Sequence, residues 1–220
     1  MVRRSVRSVL IAASAVAASL PVSGQVVISQ VYGGGGNANS VFNRDFIELR
    51  NLTNQVVVLE GWSVQYLPAG NDTLDWQVTA LSGLIHPNGY LLIQEGTKDN
   101  PVAWPPLPKP DVIDDTNLNL EFGRVALVRS ARPLPRGCPI PSQSDLMDLV
   151  GYGDPTCHEG SGPAPTLGNT TAAIRKGGGK TDTNDNKADF VEGAPFPRNT
   201  AYDWPVRPVR RHKRLPQQGQ

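Results

Sequence analysis

The sequence predicts a single all-β domain, an antiparallel β-sandwich. Twenty-two glycines and twenty prolines in 220 residues interrupt the chain too often for long helices. No sustained 3.6-residue apolar period runs through it. Short runs rich in β-branched residues, punctuated by turn signals, recur instead.

The elements follow in chain order. VVISQVY (26–32) is dense in β-branched residues and runs into four glycines (33–36), which predict a flexible loop. DFIELRN (45–51) alternates, with Phe46, Glu48 and Arg50 on one parity and Ile47 and Leu49 on the other. QVVVLEGWSVQYLP (55–68) reads as a strand, a kink at Gly61 and a second strand. DWQVTAL (75–81) follows an Asn-Asp turn, and HPNGYLLIQEG (86–96) opens on a Pro-Asn-Gly turn. Residues 97–117, rich in Pro and Asp, predict a long irregular loop. GRVALVRS (123–130), DLMDLVGYG (145–153), TAAIRK (171–176) and ADFVEG (188–193) complete the strands.

Both ends differ from the body. Arg3, Arg4 and Arg7 precede an apolar run (9–20) too short to span a bilayer, and Val22-Ser23-Gly24 resembles a cleavage site. Residues 1–24 are therefore expected to be a secretory signal, and 25–204 the sandwich domain of a periplasmic or extracellular protein without a transmembrane segment. Residues 205–220, dominated by Pro, Arg and Gln, are expected to be a disordered basic tail. Between the ends, thirteen bases oppose twenty acids, a net charge of −7. Such a body disfavours a nucleic-acid surface, whereas the tail's five cations suit a polyanion.

Cys138 and Cys157 are the two cysteines, and in an oxidising compartment they predict one disulfide. Catalytic signatures fail one by one. The stretch Gly179-Lys180-Thr181 lacks the glycine that a phosphate-binding loop needs at position 174, which is Ile174. His158-Glu159 lacks the second histidine of a zinc-protease helix, since position 162 is Gly162. His86 and His212 lie far apart, and Ser63 and Ser161 lack the nucleophile-elbow pattern. The chain is read as non-catalytic.

Three segments recur in an order that resembles the lamin tail domain family. They are VVISQVYGGGGN, DFIELRN followed by VVVLEGWSVQY, and HPNGYLLI. The resemblance covers about residues 26–130, and the later part resembles the extension of secreted bacterial members. It implies an immunoglobulin-like sandwich and a non-catalytic module, found alone or beside secreted nucleases and phosphatases. The chain has neither a heptad-rich rod nor room for a catalytic domain beside the module. At the Leu-x-Gly-Trp corner, Gly61 permits the bend, and Trp62 is expected to anchor it by core packing.

One stretch leaves two readings open. TDTNDNKADF (181–190) places Asp182, Asn184, Asn186 and Asp189 at a spacing that can offer oxygens to calcium, with the Ala188 carbonyl as a fifth. Lys187 stands where the calcium loop needs glycine, and Gly193 where it needs glutamate. The alternative, which the sequence favours, is an Asx turn bonded to its own backbone. For function, the leading expectation is a binding or surface-association module for an unknown protein or surface polymer. The alternatives are a small metal-dependent hydrolase, or an accessory subunit docking a separate secreted nuclease or phosphatase. Converging carboxylates in a pocket would mark the hydrolase, and an exposed apolar patch the accessory subunit.

Overall fold

A computed structural model describes residues 26–68, 70, 72–96, 105–139, 145–153 and 157–202. The segments expected to be signal and tail lie outside these. The described chain is an all-β, immunoglobulin-like sandwich. Twelve strands run in order: β1 (Val26–Tyr32), β2 (Asp45–Asn51), β3 (Val57–Val58), β4 (Ser63–Pro68), β5 (Gln77–Ala80), β6 (Leu84–Ile85), β7 (Tyr90–Glu95), β8 (Val112–Ile113), β9 (Gly123–Val128), β10 (Leu146–Tyr152), β11 (Ala172–Arg175) and β12 (Phe190–Gly193). A tight glycine turn with positive φ at Gly177 and Gly178, called α1 (Lys176–Gly179), and a single-turn helix, α2 (Asn186–Asp189), sit between the last two strands.

A six-stranded sheet, β12-β11-β1-β2-β7-β8, faces a four-stranded sheet, β10-β9-β4-β5, and β3 pairs with β6 in a separate ribbon. The intersheet core takes alternate residues from both: Ile47 and Leu49 of β2, Leu91 and Ile93 of β7, Val64 and Tyr66 of β4, and Val125 and Leu127 of β9. Two-residue alternation aims one face of each strand at this layer.

The outer faces are covered as well. Over the four-stranded sheet, Leu134 packs with Leu67, Trp76, Ala126 and Cys157. Over the six-stranded sheet, Tyr32, Phe46, Leu92 and Leu107 cluster with Ala172. Phe46, Glu48 and Arg50, the outward parity of β2, are accordingly buried.

Several expectations need correction. The pair β7–β8 is parallel, within a fold otherwise built from antiparallel ladders. That strand lies inside the segment expected to be irregular. The 55–58 strand shrinks to the two residues of β3, whose partner β6 carries no alternation long enough to read. The four glycines are buried rather than loose. At Gly35 a Cβ would lie 1.9 Å from the Arg44 carbonyl carbon, so a close backbone approach demands glycine there.

Candidate functional site

The C-terminal residues, from 157 onward, are tied to the sandwich by two buried networks. The first centres on Arg175 at the end of β11, which is fully buried. Its Nη2 donates to both oxygens of Asp148, at 2.9 and 2.7 Å. Its Nη1 reaches Asp182 at 3.2 Å and Asp189 at 3.4 Å, and Nε donates to the Ile28 carbonyl at 2.8 Å. The Ile28 amide donates to Asp148 Oδ2 at 2.6 Å. β11 pairs with β1 only at Gln30 and Val31, so the Arg175–Asp148 pair satisfies the Ile28 backbone where the strand partner has ended. The Phe190 ring lies 4.6 Å beneath the guanidinium carbon.

Burial opposes the charge on Arg175, but Asp148, Asp182 and Asp189 more than offset it and hold its pKa above the ordinary value. Burial also pushes the Asp148 carboxyl up, against the pull of Arg175. Glu159, at the margin of this cluster, is pushed up to about 8, first by burial and then by Asp148. Beside it opens a cleft of about 350 Å³ lined by Leu146, Leu149, His158, Glu159 and Asn184.

The second network crosses the outer face of the six-stranded sheet. Residues 194–202 run from β12 towards β8, and alternate amides are caught by β1, by β2 and by Asp111, just before β8. Phe196 N–H donates to Gln30 Oε1 at 3.0 Å, and Gln30 Nε2 returns a bond to the Phe196 carbonyl at 2.7 Å. Arg198 N–H donates to Glu48 at 2.8 Å, and Thr200 N–H to Asp111 at 3.0 Å. The Arg198 guanidinium pairs with Glu48 at 2.6 Å and stacks 3.8 Å from the Tyr90 ring centroid. Arg50 donates to Tyr90 Oη at 2.7 Å and also to the Gly178 carbonyl of α1.

The residues singled out in the sequence fall as follows. Cys138 and Cys157 are bonded, with Cα atoms 5.6 Å apart. Gly61 has φ of 80°, and Trp62 N–H closes a turn onto the Leu59 carbonyl at 2.9 Å. Trp62 packs against the core but is only partly buried, and Leu59 is the corner's fully buried anchor. The four calcium candidates do separate jobs. Asp182 and Asp189 face Arg175, and Asp189 also accepts from Thr183 N at 2.8 Å and Thr183 Oγ1 at 2.7 Å. Asn186 is buried, accepting from Gly151 N at 2.9 Å and donating to the Leu149 carbonyl at 2.8 Å. Asn184 is exposed, with φ of 55°. Asp185 caps α2 by accepting from Ala188 N at 3.1 Å. Among the described residues no three His, Cys, Asp or Glu side chains gather as a metal site.

Sequence reasoning missed Arg175, Asp148, Glu48 and Arg198. Asp148 did carry a signal, since it shares the inward parity of Val150 and Tyr152. An acid at an inward position of a strand requires a partner.

The lamin tail domain model matches residues 20–153, more than half of the chain, and the chain belongs to the lamin tail domain family, a non-catalytic immunoglobulin-like module. The match ends where the networked C-terminal part begins. Among solved structures, a DUF4876 family protein from Bacteroides thetaiotaomicron VPI-5482 is similar in fold, with a TM-score of 0.50 and 13% identity. The alignment covers 85% of this chain and 75% of that one. No curated protein matches the sequence. Among the described residues no helix is long and apolar enough to cross a membrane.

Proposed function

We propose that this protein is a secreted, non-catalytic binding module that docks another protein through the β3–β6 ribbon. The observation that carries this reading is an apolar stripe on that ribbon. Val58 and Leu84 are cross-strand partners and are 58% and 40% exposed, with Val56 two residues earlier at 47%. Their neighbours Val57 and Ile85 pack inward, so the ribbon presents one apolar face to the core and another to solvent. Exposed aliphatic neighbours of this kind mark contact surfaces. A groove of about 460 Å³ adjoins the stripe, lined by Gly83, Leu84, His86 and Thr200.

Family membership supports a module without catalysis. The hydrolase alternative draws little support, because the described carboxylates converge on the buried Arg175 rather than on an open pocket. The disulfide is compatible with export, which residues 1–24 would direct. The basic tail would add a salt-sensitive contact to polyanions.

The test is crosslinked capture from the organism's secreted and envelope proteins, with the mature chain and with Val58→Asp/Leu84→Asp as bait. The double variant should keep the parent's melting temperature and lose the parent's specific partner. Identical capture by both baits would rule out the ribbon.

A further inference from the structure

The inward faces of β2 and β7 end on acids. Asp45 and Glu95 are register partners and share the parity of Ile47, Leu49, Leu91 and Ile93, which places them at the rim of the intersheet core. Both are buried, at 1% and 0% exposure. Their surroundings differ. Asp45 accepts from Gly35 N at 2.8 Å and Leu118 N at 3.2 Å. Glu95 Oε1 accepts from Thr79 Oγ1 at 2.8 Å, across the core in the opposite sheet. Glu95 Oε2 is buried with no hydrogen-bond partner.

The charged groups facing Glu95 are Asp45 from β2 and Asp114 from the segment after β8, while β5 contributes the neutral Thr79. An ionised Glu95 would hold its charge away from water, in front of two acids. We propose that Glu95 is a proton-held latch between the sheets, neutral while β7 and β5 are closed on each other and weakening that contact when it ionises.

Burial is the main force that pushes this carboxyl up to about 8; Asp114 and Asp45 add to it, and the Thr79 hydroxyl and the Thr116 backbone oppose it. The folded value lies above the unfolded one of 4.5, so the native state holds the proton more tightly. The latch's contribution is complete below the unfolded pKa and is lost as pH rises towards the folded one. Across that window the folding equilibrium constant falls by up to ~10-fold per pH unit.

The experiment is urea unfolding of the mature protein from about pH 4 to pH 9, for the parent, Glu95→Gln and Glu159→Gln. Glu159 is included because its carboxyl is also pushed up to about 8. Glu95→Gln should flatten the fall in stability between about pH 5 and pH 8, beyond what Glu159→Gln achieves, and should gain on the parent most above about pH 7. A Glu95→Gln slope equal to the parent's overturns the latch. If Glu95→Gln does not fold, carbon-13 titration of glutamate carboxyls in the Glu159→Gln protein decides. A remaining glutamate with a midpoint near 8 supports the latch, and titration of all the rest below about pH 6 overturns it.

Discussion

Residues 129–139 lie over the four-stranded sheet, held by the Cys138–Cys157 bond and by Gln65, whose amide accepts from Leu134 N at 2.8 Å and donates to the Arg132 carbonyl at 2.8 Å. Residues 194–202 lie over the six-stranded sheet, held by Gln30, the Glu48–Arg198 pair, Tyr90 and Asp111. A buried glutamine clasps the crossing backbone on each face. The difference is the second fastening, covalent on one face and ionic on the other. A disulfide tolerates any charge around it but depends on redox conditions. A buried ion pair needs both charges, because removing one strands the other away from water.

That contrast can be broken first at the ionic face. Arg198→Ala leaves Glu48 buried without its cation, and urea unfolding should show a loss of about 3–5 kcal/mol. Adding Glu48→Gln to it should recover part of that loss, and a double variant as unstable as the single one would mean the charge itself is not at issue.

The covalent face should respond more mildly. Cys138→Ser/Cys157→Ser removes a cross-link of sequence separation 19, and the loss should be ~3 kcal/mol by the chain-entropy estimate. The same loss should follow reductant in the parent and not in the double variant.

Smaller still are the clasps. Gln65→Leu and Gln30→Leu each leave a crossing N–H and C=O without partners, at about 1–3 kcal/mol. Similar values for the two would sharpen the comparison, since the same device then works equally on both faces. The smallest expected effect is that of calcium. Arg175 already occupies the space among Asp182, Asp189 and Asp148, so several millimolar calcium, above the ~10⁻⁴–10⁻³ M range of extracellular modules, should leave the melting temperature unchanged. A rise abolished by Asp182→Ala would establish the calcium reading.

The strands were largely legible because alternation is local. Ile47 and Leu49 face the core, as their spacing implies. Glu48 and Arg50 suggest a polar outer face in sequence, yet they are buried under residues about 130–150 positions later, and no local pattern announces such a cover. Asp45, Glu95 and Asp148 could have been flagged, since each stands at an inward position among apolar residues. The Asp182–Asp189 stretch left two readings open because its spacing describes oxygens without their partner. The cation was already in the chain, seven residues upstream as Arg175.

The central claim is that the buried charges stitch the C-terminal residues to the family sandwich. Urea unfolding of Arg175→Met, against the parent at neutral pH, tests it most directly. The substitution keeps an apolar stem over Phe190 but strands Asp148, and the account predicts a loss of about 3–5 kcal/mol. An unchanged midpoint and slope would contradict it.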